Sequence, residues 1–449
     1  MKQKNLTGFP KYYIFMIILL ISTSVSLQAQ EKITLKRATE LVVENNLQVK
    51  QAQFSEAISD ENLRQSKYSL LPNLNANTSL NFNFGRSIDP LTNQFVNQAI
   101  TSNNGSISSN TPLFGGFQRI NIIAQNKLQL DVDKSFTQKV KNDLILAVVT
   151  NYLTVLNAQD LLTAARQQTD ISRQQLDIEQ KFFDVGNRTL ADLAQSKSQV
   201  ATADLNVTNA QNQVDLAFLN LAQLLERDPS IPFEVEKPAV NDIATVNTAY
   251  SAAEVYKSAS LNFPDIKLAE LRKLVLQKEI DIAKSGYYPS LNLQTGMGTR
   301  YSNGSFGNTS FATQVQDNFN QFIGFGLNIP LFNGYAARSA VRRAKIGLQN
   351  GELNEQLAKN NLNKVINQSV YDLRAAEKRY YSAQIAYESS REAFNVIEQR
   401  YAVGLVNSLD FNLAQTNLNK AQFDMIQARY DLIFRSKVID YYLGNPITF

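Results

Sequence analysis

The chain of 449 residues contains no cysteine, no histidine and no tryptophan. Without cysteine it can form no disulfide, no thiolate metal site and no cysteine nucleophile, and it offers no N-terminal cysteine for a lipid anchor. Without histidine it lacks the commonest general base and metal ligand, and a Ser-His-Asp triad cannot be built. These absences argue against an enzyme, and we expect neither catalytic residues nor a metal or other cofactor.

The chain also lacks a large excess of charge of either sign. The chain has 44 Lys and Arg against 40 Asp and Glu, a formal net charge of +4, and no long basic run stands out. A nucleic-acid partner is therefore not expected, because such proteins carry a basic patch or stripe. The apolar share of 44% is ordinary for a folded protein.

The N-terminus has the pattern of an export signal. Lys2, Lys4 and Lys11 precede an apolar stretch over residues 12–20, and Ala29 offers a small residue before Gln30. The pattern predicts a signal peptide over 1–29. A single membrane anchor is the alternative, but the apolar core is shorter than the ~20 residues a spanning helix needs. No later apolar run is that long either, so membrane-spanning segments are predicted to be strands.

Three short motifs occur twice in the chain at a constant spacing of about 218 positions, which indicates an internal repeat. The pairs are 71–75 with 288–292 (LPNLN and YPSLN), 111–117 with 329–335 (TPLFGGF and IPLFNGY), and 183–186 with 401–404 (FDVG and YAVG), the last followed by Asp192 and Asp410. We therefore predict repeat 1 over 30–226 and repeat 2 over 248–449. The proline-rich stretch 227–247 is the predicted linker.

Each half is predicted to contain the same elements in the same order. A first helix covers roughly 35–70, with Thr34 as N-cap, and its counterpart lies near 265–287. A strand hairpin follows at about 73–113 and 290–331. A helical hairpin then covers 117–226 and 335–442. Its ascending helices, 117–183 and 335–401, would each span ~100 Å.

The returning helices, 190–226 and 408–442, carry apolar and small residues at alternating spacings of three and four. This heptad pattern predicts coiled-coil packing, with an ordinary helical bundle as the alternative. Arg435 alone breaks it. The positions are Val200, Ala203, Val207, Ala210, Val214, Ala217, Leu221 and Leu224, then Leu418, Ala421, Met425, Ala428, Leu432, Arg435, Ile439 and Tyr442.

The predicted strands alternate apolar and neutral polar residues, as membrane strands around a water-filled lumen do. Phe82 and Leu293 fall on the apolar face, and Asn81 and Asn292 fall on the polar face. The partner strand near 105–113 has a weaker pattern. Stretches 86–106 and 302–320 are predicted to be loops at a barrel mouth. Four strands cannot close a barrel, so the chain should oligomerise.

This order of elements, with its duplicated Pro-Leu-Phe and Val-Gly-x5-Asp landmarks, resembles the TolC family of outer-membrane efflux proteins over essentially the whole mature chain. The resemblance implies a mainly α fold with a β-barrel portion. It implies a homotrimer in the outer membrane of a Gram-negative bacterium, with a shared 12-stranded β-barrel and a periplasmic α-helical tunnel. It also implies a periplasmic adaptor protein and an inner-membrane pump as partners. Many members carry a lipidated N-terminal cysteine, and this chain departs from that pattern.

The resemblance places the periplasmic entrance and the adaptor contact at the two hairpin tips. Their residues are Val185, Gly186 and Asn187 in the first tip and Val403, Gly404 and Leu405 in the second. Gly186 and Gly404 have a physical reason to be there, since helices commonly end at a left-handed glycine. Surfaces rich in glutamine, such as Gln174-Gln175, are predicted to be solvated tunnel wall.

Two interpretations stay open for Asp192 and Asp410. Each follows a candidate N-cap, Thr189 or Asn407, by three residues, which is the spacing of a capping box. The second interpretation is a carboxylate at the pore entrance, which the resemblance supports for Asp410. Asp192, Arg188 and Tyr401 are further candidate entrance residues, although Tyr401 also suits packing. The family's second entrance aspartate would fall at Leu413, and its basic residue would fall at Val406. The chain departs from the family pattern at both positions.

The function predicted from the sequence is an outer-membrane channel subunit that serves as the exit duct of a tripartite efflux or type I secretion system. A structural or adhesive coiled-coil surface protein is the alternative. The duplicated strand hairpins disfavour it, because a stalk would not need them. The exported cargo is not specified by any motif in the chain.

Overall fold

The computed structural model describes residues 31–88, 93–237, 248–304, 309–445 and 447. The predicted signal peptide lies outside this part of the chain, as do 238–247 of the predicted linker and short pieces of both predicted mouth loops. The first half contains strand β1 (Glu31–Ile33), helices α1 (Leu35–Asn45) and α2 (Leu47–Tyr68), strands β2 (Asn75–Asn83), β3 (Arg86–Ile88), β4 (Phe95–Asn97) and β5 (Ile100–Gly115), and helices α3 (Gln118–Asp184) and α4 (Leu190–Leu224).

The second half follows the same order with fewer strands. It contains strand β6 (Phe233–Val235), helices α5 (Ala252–Asn262) and α6 (Pro264–Lys284), strand β7 (Ser290–Ser302), helix α7 (Phe311–Asp317), strand β8 (Asn320–Asn328), and helices α8 (Ala336–Ala402) and α9 (Ser408–Leu443). Helices α3 and α8 have 67 residues each, so each is ~100 Å long as predicted. We call α3 with α4 the first hairpin and α8 with α9 the second hairpin.

The prediction of one helix over 35–70 was wrong, because the chain breaks between α1 and α2. Thr34 caps α1 as predicted, by accepting from the backbone N–H of Arg37. Asn46 is extended, its side chain accepts from the N–H of Gln48, and its amide donates to the carbonyl of Leu224. One side chain therefore both caps α2 and ties it to α4. The second half has a similar break, since α5 precedes Pro264 and went unpredicted.

The long helices pack side by side. Helices α2 and α4 both lie against α3, α6 lies between α3 and α8, and α9 contacts α8 and α3. The predicted heptad positions of α4 and α9 are buried or half-buried. Arg435, which breaks the heptad, forms ion pairs with Asp372 of α8 and Asp431 of its own helix. The lateral order is therefore α2 and α4, then α3, then α6 and α9, then α8.

The main core lies partway along the long helices and includes residues of α1, α3, α4 and α9, such as Val148, Leu156 and Ile433. Strand β6 joins this core, although it lies within the predicted linker. It pairs in parallel with β1, and the hydroxyl of Tyr152 lies within hydrogen-bonding distance of the carbonyl oxygens of Ile33 and Glu236, at 2.9 and 2.8 Å. Helix α3 is apolar and long enough to span a membrane, but half of its most apolar stretch is buried against the rest of the chain.

Four strands form one antiparallel sheet in the order β2-β5-β7-β8. Directly paired residues lie on the same face, so the register sets the two faces of the sheet. Leu293 pairs with Phe325, and Phe82, further along the sheet, lies on this same apolar face. The opposite face is mostly asparagine, serine and glycine, including Asn81 and Asn292.

The partner strand expected near 105–113, where the alternating pattern is weak, is β5. It has 16 residues rather than the nine expected. Both of its neighbours supply the apolar side chains, so a strand of serine and asparagine can occupy the middle of this sheet. On the polar face Phe322 is an exception. Its ring covers Gly296, where an added Cβ would lie 2.6 Å from a ring carbon.

The prediction of loops over 86–106 and 302–320 was wrong in part. Strands β3 and β4 form a small antiparallel ladder within the first stretch, and β5 begins at Ile100. Helix α7 lies within the second, and Gln314 anchors it by accepting from the N–H of Ser302.

The strand-to-helix turns of the two halves have matching backbones. Gly116 and Phe117 have φ of 61° and 65°, and Gly334 and Tyr335 have φ of 62° and 60°. Two consecutive left-handed residues turn the chain sharply from the sheet into the long helix. Gly116 is also sterically required, because an added Cβ would lie 2.7 Å from the carbonyl oxygen of Ser285. The duplicated Pro-Leu-Phe motifs thus mark the junction between sheet and helices.

Candidate functional site

The two hairpin tips lie at the far ends of α3 and α8 from the sheet. Gly186 and Gly404 have φ of 78° and 76°, as their predicted role as helix terminators requires. Backbone bonds close both turns in the same way. Asn187 donates to the carbonyl of Phe182 at 2.8 Å, and Leu405 donates to that of Arg400 at 2.9 Å.

Both returning helices begin with the predicted N-caps. Thr189 accepts from the N–H of Asp192 at 3.2 Å, and Asn407 accepts from the N–H of Asp410 at 2.9 Å. In the first tip the cap is reciprocal, because the Asp192 carboxylate accepts from the N–H of Thr189 at 3.1 Å. This is the capping box that the sequence predicted as one role for Asp192.

Asp192 also connects the two tips. The hydroxyl of Ser408, at the start of α9, donates to its carboxylate at 3.0 Å. Hydrogen bonds from the side chain and backbone of Thr189, and then from Ser408, lower the pKa of Asp192. Asp192 therefore stays ionised and has a structural role within one chain.

Asp410 has a different environment. Its side chain is exposed, and within the described residues its carboxylate has neither a hydrogen-bond donor nor an ion-pair partner. It lines an open groove between α8 and α9, which is also lined by Arg400, Val406 and Leu413. Of the two aspartates, Asp410 is the one whose charge is available to solvent or to another molecule.

Arg188 points inward from the first tip. Its Nε lies 3.5 Å from Oε2 of Glu179, and its guanidinium lies over the rings of Phe182 and Tyr401 at 5.7 and 5.5 Å. It therefore reaches from the first hairpin to a ring of the second.

Tyr401, which the sequence placed among the entrance residues, is only 1% exposed. Its ring lies 4.5 Å from that of Phe411, within a small apolar cluster of the second hairpin. In a single chain Tyr401 is thus a packing residue, as its alternative interpretation held.

The outer surface of both tips is apolar. Val185 and Val403 are each 68% exposed, and Leu405 is 73% exposed. Isolated exposed apolar residues are common, but here they lie at matching positions of two adjacent turns. Such a surface can dock a second protein.

Sequence reasoning missed the buried polar residues behind the tips. Glu179 and Gln415 are 0% exposed, and Gln175, predicted to be solvated, is 2% exposed while its neighbour Gln174 is exposed. The available signal was the spacing of Thr169, Ser172, Gln175 and Glu179, which continues the buried stripe of α3 beyond Ala165.

Comparison with known proteins gives consistent matches. The family model described as outer membrane efflux protein matches twice, over residues 38–227 and 255–445. The outer membrane efflux protein BepC of Brucella suis is 21% identical over 93% of this chain and 87% of its own length. The outer membrane protein TolC of Escherichia coli is 25% identical over 69% of this chain, and the match spans 62% of that relative.

Solved structures share the fold. The CmeC outer membrane channel of Campylobacter jejuni superposes with a TM-score of 0.76 at 18% identity, over 91% of this chain and 85% of that one. The outer-membrane channel OprN gives a TM-score of 0.75 at 19% identity, over 92% of this chain and 90% of that one.

Proposed function

The chain belongs to the outer membrane efflux protein family, which places it in the outer membrane as an exit duct for efflux or secretion, and we propose that three copies close one such duct. As a passive conduit it would carry out no catalysis. The three copies would share a 12-stranded β-barrel and continue it as a helical tunnel into the periplasm.

The observation that carries this proposal is the open four-stranded sheet. Among the residues that the structure describes, strands β2 and β8 each pair on one side only. One face of the sheet is apolar, and lipid offers no hydrogen bonds to an unpaired strand edge. Pairing β2 of one copy with β8 of the next would satisfy both edges, and three copies would supply twelve strands.

The helices support a tunnel. Within one chain, α8 lies at one lateral end of the helical layer, and α2 with α4 lies at the other. Pairing these ends between copies would close the layer into a cylinder. The hairpin tips would then meet at its periplasmic end and form the entrance.

At that entrance we assign distinct roles to the tip residues. Asp410 would present three free carboxylates around the opening. Asp192, Arg188 and Tyr401 would hold the two tips of each chain together. The apolar tip surface, formed by Val185, Gly186, Asn187, Val403, Gly404 and Leu405, would contact a periplasmic adaptor protein, which connects the duct to an inner-membrane pump.

We also propose that the mature chain is a tandem repeat, 30–226 and 248–449, joined by 227–247 and preceded by a signal peptide over 1–29. The equal lengths of α3 and α8, the matching left-handed turns and the double match of the family model support this division.

The assembly is tested by the mass of the detergent-extracted protein. Three chains are expected, in the membrane fraction, because only closure satisfies the sheet edges. A stable monomer in the soluble periplasmic fraction would overturn the proposal.

A further inference from the structure

The interface between the two hairpins changes character along its length. Near the main core, α3 and α9 meet through apolar side chains such as Leu156 and Ile433. Beyond Ala165 the fully buried positions of α3 are polar, while half-buried Ile171 and Ile178 still pack against the apolar cluster of the second hairpin. We call the polar part the seam; it consists of Thr169, Ser172, Gln175 and Glu179 of α3, Ser196 of α4, and Gln415 and Asn419 of α9.

The seam is incompletely hydrogen-bonded. Gln415 donates to Ser172 at 3.4 Å, and Gln175 donates to Asn412 at 3.1 Å. The amide oxygens of Gln175 and Gln415, the hydroxyl of Ser196 and both carboxylate oxygens of Glu179 are buried without a hydrogen-bond partner among the described residues. Burying such a group without a partner is unfavourable compared with its solvated state. These unpaired polar groups therefore weaken the packing of the hairpins along the seam, compared with the apolar core.

Glu179 is the ionisable group of the seam, and few charges surround it. Arg188 of the first tip lies 3.5 Å away, and Asp192 of α4 acts on it through space. Helix α8 contributes Tyr401, helix α9 contributes the neutral Gln415, and Asp410 of α9 is exposed on the surface. Burial raises the pKa of Glu179, Arg188 lowers it, and Asp192 raises it, so the net pKa is above the usual range.

We propose that Glu179 is a proton-sensitive joint between the two hairpins, with the protonated side chain favouring hairpins packed together and the ionised side chain favouring their separation. The geometric basis is a carboxyl that is fully buried when the hairpins pack, with Arg188 3.5 Å away but no hydrogen-bond donor among the described residues; parting the hairpins would expose it to water. By linkage, the state that binds the proton more tightly gains population as the pH falls. The ratio of packed to separated tips changes by up to about tenfold per pH unit.

The absence of histidine sharpens this inference, because no imidazole in the chain can titrate between about pH 5 and 8. The joint lies within a single chain, so it does not rest on the proposed assembly.

The test measures the distance between the tips as a function of pH. Because the chain has no native cysteine, the substitutions Asn187→Cys and Leu405→Cys provide two sites for spin labels without background labelling. Labelled chains are diluted with unlabelled ones, so that only distances within one chain contribute. In the otherwise unaltered protein, the short-distance population is expected to grow as the pH falls from about 8 to 5.

Three variants make the result specific. Glu179→Gln should remove the pH response, because it keeps the volume but cannot ionise. Arg188→Gln should move the midpoint to higher pH, because the cation that favours ionised Glu179 is gone. Asp177→Asn, an exposed change two residues away on α3, should leave the response unaltered. A distance independent of pH, or a response that persists in Glu179→Gln, would overturn the proposal, whatever the number of chains in the assembly.

Discussion

The two halves of the chain share their backbone but differ in where they place charge. Both have a 67-residue ascending helix, a left-handed glycine at the tip and an aspartate in the first turn of the returning helix. The first tip holds its aspartate in a capping box and directs Arg188 inward. The second tip has Val406 in the place of Arg188 and leaves Asp410 free. Two tips of matching backbone therefore differ in their aspartates: that of the first tip is hydrogen-bonded within the chain, and that of the second is exposed.

The largest predicted effect concerns the apolar face of the sheet, to which both halves of the chain contribute strands. Phe82→Arg and Leu293→Arg place a cation on the apolar face of strands from different halves, at a cost of up to about 2–4 kcal/mol near the membrane midplane. Both should reduce the amount of assembled protein in the outer membrane. The matched controls Asn81→Arg and Asn292→Arg, on the polar face, should assemble far better. Equal tolerance at all four positions would contradict the assignment of the faces.

The second largest effect is a loss of stability that should differ between the two tips. Arg188→Gln removes the cation that lies beside buried Glu179 and should cost about 1–3 kcal/mol near pH 8. The loss should shrink towards pH 5, because Glu179, whose pKa is raised, takes up a proton instead. Val406→Gln, the equivalent change in the second tip, should have little effect. Denaturant unfolding at both pH values measures the difference, and equal losses at both positions would mean that the tips are equivalent.

Gly186→Ala and Gly404→Ala test the geometry that the tips share. Both residues have positive φ, and an added Cβ at either would meet nothing within 4 Å. Each change should therefore cost about 1 kcal/mol through backbone strain alone, and by the same amount in both tips. Thermal unfolding measures it. A loss confined to one tip would show that steric contacts rather than φ require the glycine.

The smallest effect on stability is expected at the aspartates. Asp192→Asn should cost about 0.5–1 kcal/mol, because the reciprocal cap weakens. Since the pKa of Asp192 is lowered, its contribution is present above its ordinary value near 4 and disappears as the pH falls through the lowered one. Asp410→Asn should leave stability nearly unchanged, since its side chain forms no hydrogen bond or ion pair with any described residue. Unfolding curves over this pH range distinguish the two.

Much of this architecture was predictable because periodicity is a local signal. The bounds of α3 and α8, both N-caps of the returning helices and the faces of Phe82 and Leu293 all followed from spacing. The break at Asn46 did not, because its amide bonds to Leu224, which lies 178 positions away in the chain. The length of strand β5 was underestimated for a similar reason, since its serine and asparagine residues pair with neighbouring strands on both sides.

The candidate site was predictable only in part. Spacing identified the tips, but it could not decide between capping and pore roles for Asp192 and Asp410. That difference depends on Ser408 and on the direction of each carboxylate. The burial of Gln175 and Glu179 was also missed, because polar side chains in a long helix usually face water. Only the packing of one hairpin on the other shows that these residues lie inside.

We propose that the chain forms a duct whose entrance charge comes from the second tip. Current through the purified protein in planar bilayers tests this proposal most directly, at low salt where screening is weak. We expect a steady conductance that prefers cations, a reversal potential that moves towards zero in Asp410→Asn, and little change in Asp192→Asn. A protein that assembles in the bilayer without conducting, or a cation preference that survives in Asp410→Asn and is lost in Asp192→Asn, would contradict it.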